Sequence, residues 1–286
     1  MSQASIGVIG GSGLYEIQGL TDVKEVAVET PFGPPSDKVV LGTLEGKRVA
    51  FLPRHGKGHR ISPSEINYRA NIYALKSLGV QDIIAVSAVG SMREEIVPGH
   101  IVIIDQFYDH TKHRKSTFFE GGVVAHAHFA DPICSELADV LEGAARRAGA
   151  TVHRGGTYLN MEGPQFSTRA ESKIYRQWGV SVIGMTNATE AKLACEAEIC
   201  YSTVALATDY DCWHETEEDV TIEAILAVIA KNVETAKRII KEAVAHLPTS
   251  AECHHKHGMQ FAIVTDKSTI PPAKRKDLDV LIGKYL

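Results

Sequence analysis

The chain has 286 residues and a formal net charge of -5, with an ordinary mixture of apolar and charged residues. This length is sufficient to bury a large core, so we expect one globular domain over residues 1–286. The acidic balance, without a long run of Lys or Arg, gives no electrostatic footprint for binding DNA or RNA.

The N-terminal residues run directly into a strand pattern and lack the charged and apolar regions of a signal peptide. No apolar stretch is long enough to cross a bilayer. We therefore expect a cytoplasmic protein that binds neither membrane nor nucleic acid. Five cysteines are expected to be reduced in that compartment, and none forms a Cys-x-x-Cys pair: Cys134, Cys195, Cys200, Cys212 and Cys253.

Strand and helix patterns alternate along the chain. Short runs rich in Val and Ile predict strands over residues 5–9, 39–44, 48–52, 82–86, 101–105, 181–185 and 201–207. Apolar residues at three- and four-residue spacing predict helices over residues 64–77, 131–148, 168–178, 190–197 and 221–245. This alternation favours an α/β fold with a largely parallel central sheet. A polar, His-rich loop is expected over residues 248–257.

A glycine-rich loop follows the first predicted strand, and it contains Gly10, Gly11, Ser12 and Gly13. Glycines let the backbone turn tightly and bring its N–H groups close to an anion such as phosphate. A purely structural turn is the alternative. A dinucleotide-binding fold would also begin this way, but its fingerprint requires Gly-x-Gly-x-x-Gly leading into a helix, and the residues after Gly13 look like a turn and another strand.

Two further strand ends offer groups that bind anions. Arg54 and His55 follow one predicted strand, and Arg can hold phosphate through paired donors while His supplies another. A surface Arg-His pair is the alternative. Another strand leads into Ser87 and Ala88, which allow close approach of a backbone. Because ligands of open α/β sheets collect at the carboxyl ends of strands, we expect these groups to converge on one phosphate site.

Two carboxylates, Asp209 and Asp211, stand at the end of the last predicted strand. Alternate side chains of a strand share a face, so both are expected to point toward one ligand that bears hydrogen-bond donors. The alternative is that they cap the following helix or solvate a loop.

Aromatic and sulfur side chains complete the candidate site. Phe166 offers a stacking surface for a planar base, with packing into the core as the alternative. Met185 could pack against a sugar, although a core methionine is an equal alternative, and Thr186 adds a hydroxyl. Thr168 and Glu171 match a helix capping box.

Metal-ligating residues occur in two short groups, but neither has the spacing of a closed metal site. We therefore expect no metal. The groups are His126 with His128, and Cys253 with His254, His255 and His257.

Seven ordered motifs together resemble the trimeric purine nucleoside phosphorylase family, and within it the 5′-methylthioadenosine phosphorylases. The resemblance extends from about residue 6 to about residue 264. The motifs are Gly10-Gly11-Ser12-Gly13-Leu14, Thr30-Pro31-Phe32-Gly33, Arg54-His55-Gly56, Gly90-Ser91-Met92-Arg93-Glu94-Glu95, Ile103-Ile104-Asp105-Gln106-Phe107, Glu162-Gly163-Pro164-Gln165-Phe166-Ser167 and Thr208-Asp209-Tyr210-Asp211-Cys212-Trp213. It implies a single α/β domain whose mixed sheet partly closes into a barrel flanked by helices. It also implies a homotrimer, with pairing of trimers into hexamers left open.

The resemblance implies a role for each site residue. Phosphate is expected to contact Ser12, Arg54, His55, Ser87, Ala88 and Thr186. Ribose is expected at Met185, and the purine at Phe166, Ile183, Gly184, Asp209 and Asp211. The methylthio group is expected at Ile222, Ile225 and Leu226, with His126 and Val264 reaching the same pocket from a neighbouring subunit.

The implied reaction is phosphorolysis of 5′-methylthioadenosine to adenine and 5-methylthioribose 1-phosphate. Inorganic phosphate is a co-substrate and no cofactor is expected. Asp209, protonated or sharing a proton, is expected to donate to purine N7, while Asp211 accepts from the 6-amino group. The alternatives are a 6-oxopurine nucleoside phosphorylase, a noncatalytic nucleoside sensor and, more distantly, an NAD-dependent oxidoreductase. Resemblance to thermophilic members suggests disulfides Cys134–Cys200 and Cys195–Cys253.

Overall fold

The alternation of strands and helices is present in the computed structural model of the chain. The structure describes residues 2–11, 13–214, 222–248 and 253–286, without the side chains of residues 222–227 and 229. The strands are β1 Ile6–Gly10, β2 Thr21–Val26, β3 Val39–Leu44, β4 Lys47–Pro53, β5 Asp82–Ser91, β6 Ile101–Ile103, β7 Gln106–Asp109, β8 Val152–Arg154, β9 Thr157–Asn160, β10 Val182–Gly184 and β11 Cys200–Asp209. The helices are α1 Tyr68–Ser77, α2 Ser135–Arg147, α3 Arg169–Gln177, α4 Asn187–Glu196, α5 Ile222–His246, α6 Pro272–Asp277 and α7 Asp279–Ile282.

One sheet contains these strands, and it forks at β5. The main path runs β2-β3-β4-β1-β5-β10-β9-β7, while a branch runs from β5 through β11 and β6 to β8. The fork arises because β1 pairs with residues 82–85 of β5, whereas β10 pairs with Gly90 and Ser91 at the other end of the same strand. Among the described strands this path does not close on itself.

The sheet is mixed, as the family resemblance implies, and most of its pairings are parallel, as the alternation predicted. Strands β1, β4, β5 and β11 are mutually parallel in their pairings, but β10 runs antiparallel to β5 and β6 runs antiparallel to β11. The carboxyl ends of β1, β4, β5 and β11 therefore meet at one edge of the sheet. The expected α/β fold with flanking helices is confirmed.

Helix ends explain several differences from the predicted boundaries. Helix α1 begins at Tyr68, four residues later than predicted, because the side chain of Asn67 accepts a hydrogen bond from the amide of Ala70 and caps the helix. Thr168 and Glu171 form the predicted capping box at the start of α3. Strands β7, β8 and β9, each three or four residues long, were not predicted. The described helices are too short or too polar to span a bilayer.

The five cysteines are free thiols, so neither suggested disulfide is present. The pairing of Cys195 with Cys253 is wrong for a geometric reason. The thiol of Cys195 donates to the carbonyl oxygen of His128 at 3.3 Å, whereas the sulfur of Cys253 lies 3.3 Å from that of Cys134. Cys200 belongs to the same buried group as Cys134 and Cys253.

Candidate active site

Strand β5 brings the two sides of the predicted purine pocket together at Gly90. This residue pairs with Ile183 of β10 on one side and with Asp209 of β11 on the other. A Cβ atom on Gly90 would lie 3.0 Å from Cγ2 of Ile183 and 3.1 Å from Oδ1 of Asp209. Glycine at this position therefore lets a hydrophobic side chain and a carboxylate face the same small volume.

The carboxylate of Asp209 is held by its own strand end. Its Oδ1 accepts from the backbone N–H of Asp211 and its Oδ2 accepts from the hydroxyl of Thr208, both at 2.7 Å. Two hydrogen bonds from fixed neighbours orient the carboxyl group before any ligand binds.

Asp211 does not lie on the strand with Asp209, and the prediction that they share a strand face is wrong. Strand β11 ends at Asp209, and Asp211 has a left-handed backbone, with φ of 53°, at the start of a short 3₁₀ turn. Its Oδ2 accepts from the hydroxyl of Ser172 at 2.5 Å. Burial raises the pKa of Asp211; the Ser172 hydrogen bond opposes this rise and the charge of Asp209 adds to it.

The guanidinium of Arg54 forms a buried ion pair that the sequence did not predict. Its Nε and Nη2 donate to the two carboxylate oxygens of Glu190 in α4, and its Nη1 and Nη2 donate to the carbonyls of Val86 and Ile9. Four of its five N–H donors are therefore engaged within the chain. Burial opposes the charge of Arg54, but Glu190 raises its pKa, so it stays a cation. The hydroxyl of Tyr201 also donates to Glu190 at 2.9 Å.

His55 is a neutral imidazole at neutral pH. Its Nδ1 lies 2.8 Å from the carbonyl oxygen of Ile61, and its ring stacks on His59 with the ring centres 4.1 Å apart. Burial, with the charge of Arg54 as the next largest cause, lowers the pKa of His55 to about 4. Because a carbonyl can only accept, Nδ1 carries the hydrogen and Nε2 is left as an acceptor.

The remaining predicted phosphate ligands lie where β5 approaches the N-terminus of α4. Ser87 is buried, with its hydroxyl 3.3 Å from that of Tyr158, and Ala88 on the same strand is exposed. Thr186 is buried at the position immediately before α4, and its hydroxyl donates to Oδ1 of Asn187. The unpaired N–H groups of a helix N-terminus favour an anion.

Gly184 is required by the hydroxyl of Tyr158, since a Cβ atom at this position would lie 1.9 Å from that oxygen. Next along the chain, Met185 is fixed by its backbone, because its carbonyl accepts from Nη1 of Arg114 at 3.0 Å. Arg114 is itself held by Glu162, whose carboxylate lies 3.0 Å from its Nε. This ion pair therefore positions the predicted ribose residue, and the sequence reasoning had not found Arg114.

Phe166 does not pack into the core, and 76 % of its surface is exposed. Cys212 lies beneath this loop and donates its thiol hydrogen to the carbonyl of Ser167 at 3.3 Å. The aromatic ring is therefore available to a ligand, and the alternative of a core phenylalanine is wrong.

The predicted methylthio residues divide into two groups, of which the first lies outside the described residues. This group comprises the side chains of Ile222, Ile225 and Leu226. Ser12 of the predicted phosphate site also lies outside the described residues. His126 and Val264 are neighbours, joined through the bridge between Ala125 and Ile263, and both are exposed.

Two surface cavities of about 380 and 480 Å³ lie around the loop of residues 27–38. The smaller reaches Ile61, whose carbonyl binds His55, but none of the predicted site residues lines either cavity.

The anion-binding groups and the carboxylates share β5 as a common support. Arg54 donates to the carbonyl of Val86, and Asp209 pairs with Gly90, four residues further along the strand. At about 3.3 Å per residue the two contacts are about 13 Å apart. A nucleoside with a phosphate beneath its sugar can bridge this separation.

Comparison with known proteins agrees with this geometry. The model of the phosphorylase superfamily matches residues 5–245. An S-methyl-5′-thioadenosine phosphorylase of Geobacter sulfurreducens is 62% identical over 98% of this chain and 99% of its own length, and one of Koribacter versatilis is 57% identical over 99% and 97%.

Solved structures give the same result. A methylthioadenosine phosphorylase from an antarctic soil metagenomic library superposes with a TM-score of 0.95 at 49% identity, covering 98% of this chain and 99% of its own. The S12T mutant of the adenosine/methylthioadenosine phosphorylase of Schistosoma mansoni, in complex with methylthioadenosine, has a TM-score of 0.80 at 37% identity, covering 87% and 93%. The chain therefore belongs to the phosphorylase superfamily, as a pentosyltransferase of the S-methyl-5′-thioadenosine phosphorylase family.

Proposed function

We propose that the protein cleaves 5′-methylthioadenosine with inorganic phosphate, releasing adenine and 5-methylthioribose 1-phosphate. The observation that carries this proposal is the arrangement along β5, where Val86 contacts the Arg54 guanidinium and Gly90 lies against Ile183 and Asp209. A nucleophile held at one end and a leaving group held at the other suit displacement at the anomeric carbon between them. The names of the relatives support the same substrate.

Phosphate binds, in this proposal, between the glycine loop, β5 and the N-terminus of α4. Arg54 keeps its positive charge but is balanced by Glu190, so the direct contacts come from its remaining N–H, from hydroxyls and from backbone amides. His55 has an acceptor at Nε2 and therefore receives a hydrogen bond from a P–OH group. The phosphate ligands are Ser12, Arg54, His55, Ser87, Ala88 and Thr186.

Adenine leaves poorly as an anion, so its N7 needs a proton or a hydrogen bond as the glycosidic bond breaks. Asp209 and Asp211 are adjacent, and burial, together with the neighbouring charge of Asp209, raises the pKa of Asp211. The pair holds one proton and Asp209 presents it to N7, while the other carboxyl oxygens accept from the 6-amino group. Developing positive charge on the sugar is stabilised by the phosphate below it.

The sugar lies against Met185, and the base lies between Phe166 on one side and Ile183 and Gly184 on the other. The methylthio group contacts Ile222, Ile225 and Leu226, together with His126 and Val264 of a neighbouring subunit. Exposed apolar side chains near that bridge support a subunit contact, since Val124, Phe261 and Val264 are each about half exposed or more. A homotrimer is the proposed assembly, with its pairing into hexamers left open.

The reaction needs no cofactor in this scheme, because phosphate is both the nucleophile and the electrostatic stabiliser. The single-domain organisation over residues 1–286 and the cytoplasmic location also stay predictions.

The test is a product assay with and without phosphate. We expect adenine to be released from methylthioadenosine only when phosphate is present, and hypoxanthine not to be released from inosine assayed in parallel. Comparable turnover of inosine would instead indicate a 6-oxopurine phosphorylase. Tight binding of methylthioadenosine without any product would indicate a noncatalytic sensor, and adenosine in the same panel measures how strictly the 5′ group is recognised.

A further inference from the structure

Three thiols and an imidazole form a buried cluster away from the candidate active site. The ligand atoms of Cys134, Cys200, Cys253 and His255 all lie within 4.8 Å of one another, and each residue is at least nine-tenths buried. Cys200 is the first residue of β11, whereas Asp209 is its last. The cluster therefore lies at the opposite end of that strand from the carboxylates.

Three separate segments of the chain supply the cluster. Cys134 immediately precedes α2, and Cys200 begins β11. Cys253 and His255 come from the short 3₁₀ segment after α5. Only the last two are close in sequence, which is why spacing along the chain predicted no metal site.

A single disulfide does not account for this arrangement. It would join two of the sulfurs and leave the third sulfur and the imidazole buried without a role. Sulfurs bound to one zinc ion at about 2.3 Å lie about 3.8 Å apart in a tetrahedron. The sulfurs of Cys134 and Cys253 are 3.3 Å apart, and Nδ1 of His255 lies 3.1 Å from the sulfur of Cys253. Because all four ligand atoms lie within 4.8 Å of one another, shifts of about 1 Å or less would produce tetrahedral coordination.

The orientation of His255 is an independent indication of a metal ligand. Its Nε2 lies 3.0 Å from the carbonyl oxygen of Asp131, which can only accept a hydrogen bond. The hydrogen of the ring is therefore on Nε2, and the lone pair of Nδ1 faces the sulfur of Cys253. Histidines that bind metals usually donate their other ring N–H to a carbonyl or carboxylate in this way.

We propose that Cys134, Cys200, Cys253 and His255 bind one structural zinc ion. Three thiolates and one histidine are a set typical of closed, four-coordinate zinc sites, and the burial of all four leaves no position for water or substrate. On binding, the three thiols release their protons to solvent, so the site carries a net charge of minus one. Lys256 lies beside it, in an ion pair with Asp82 at 3.5 Å.

The ion would fasten the segment after α5 to α2 and β11. That segment continues to Ile263, which bridges Ala125, and to Val264. Zinc at this place therefore holds the exposed surface around His126 and Val264 in position without touching substrate. The proposed zinc site replaces the expectation, drawn from the spacing of residues in the sequence, that the chain binds no metal.

The direct test is elemental analysis of the full chain, expressed without a metal-binding tag in medium that contains zinc. We expect about one zinc ion per chain. The Cys253→Ser and His255→Ala variants should lose most of it, while the Cys195→Ser variant, which removes a buried thiol outside the cluster, should keep it. Because a variant that lacks the ion could unfold, wild-type protein is also reconstituted with Co²⁺. A thiolate-to-cobalt charge-transfer band with intense tetrahedral d–d absorption is then expected.

Two results would overturn the proposal. One is folded wild-type protein that contains no zinc after reconstitution and gives no charge-transfer band with Co²⁺. The other is an intact mass, measured without reductant, that is lower by the two hydrogens of a disulfide between two of the three cysteines.

Discussion

The two ends of the candidate site differ in how completely the single chain builds them. At the phosphate end, Arg54 and Glu190 are buried and bound to each other and to strand carbonyls. At the base end, the Asp209 carboxylate accepts hydrogen bonds from Thr208 and Asp211 at its own strand end, and Phe166 lies largely in solvent. The anion-binding groups at the phosphate end are therefore an extension of the core, whereas in the proposed trimer the base end is completed by the ligand and by a neighbouring subunit.

The largest effect is expected at the base end, from Asp209→Asn. An amide cannot deliver the proton to N7, so kcat for methylthioadenosine should fall about 10²–10⁴-fold. The KM for phosphate should change by no more than about a factor of two, because the phosphate contacts are distant. Steady-state kinetics with each substrate varied in turn measure both values.

Asp139→Asn is a matched control for this change, because Asp139 lies on the exposed face of α2 and should leave kcat unaltered. Unaltered turnover in Asp209→Asn would remove Asp209 from the mechanism.

Breaking the phosphate end should cost folding stability and not only activity. Glu190→Ala leaves the buried guanidinium of Arg54 without its carboxylate, and the free energy of unfolding should fall by about 3–5 kcal/mol. Urea denaturation measures the loss. The surface pair in α2 provides the control, since Glu142→Ala removes the partner of Arg146 and should cost less than about 1 kcal/mol. Equal losses in the two variants would contradict a core-like phosphate end.

A methyl group placed between the two ends should have an intermediate effect. Gly184→Ala puts a carbon against the hydroxyl of Tyr158, so we expect a loss of about 1–3 kcal/mol and a higher KM for phosphate as Tyr158 moves away from Ser87. Thermal unfolding and kinetics measure the two effects. Gly143→Ala, inside α2, should instead stabilise the protein slightly, and a similar gain from Gly184→Ala would show that Tyr158 is not fixed.

The smallest effect concerns the pH dependence of the phosphate end. The pKa of His55 is about 4 in the folded protein, below its ordinary value of 6.5. The unfolded chain therefore binds more protons between these values. The contribution of His55 to the free energy of unfolding is fully present above about pH 6.5 and is lost as the pH falls toward 4. The wild-type protein should lose free energy of unfolding between about pH 7 and pH 5. We expect His55→Gln to make this loss smaller by on the order of 1 kcal/mol, with the partial exposure of the ring taken into account.

Added phosphate should also reduce this loss in the wild-type protein, because an anion beside the ring raises its pKa. Denaturation curves at the two pH values, with and without phosphate, measure both changes. If His55→Gln loses as much free energy of unfolding between the two pH values as the wild-type protein does, the pH dependence belongs to other groups.

The sequence predicted the strands that support the site better than it predicted the contacts within it. Strand β3 has the predicted bounds, and β1, β4 and β11 differ from theirs by two residues or fewer at each end. Long apolar runs with turn residues at their ends make such strands recognisable. The mixed pairing came from the family resemblance, because the direction in which β10 meets β5 is set by packing and leaves no local pattern.

The partners of the site residues were missed for related reasons. Glu190 lies 136 positions from Arg54, and a glutamate in a helix usually indicates a solvated face. The available sequence signal was the small apolar neighbours Ala188 and Ala191, which are typical of a helix packed closely in a core, and the structure buries every residue from Asn187 to Ala191. Asp211 was wrongly assigned to a strand face because its left-handed backbone is not readable from an Asp-x-Asp pattern.

The forked strand β5 has a consequence for which ligands fit. Its backbone, and not a set of movable side chains, fixes how far the guanidinium contact at Val86 is from the carboxylate contact at Gly90. Sliding the strand by one residue would change that length by about 3.3 Å and turn every side chain to the opposite face. In the proposed function, the strand backbone therefore fixes the distance that the ligand must span, and we expect accepted ligands to differ mainly in groups that lie off the line between the two contacts.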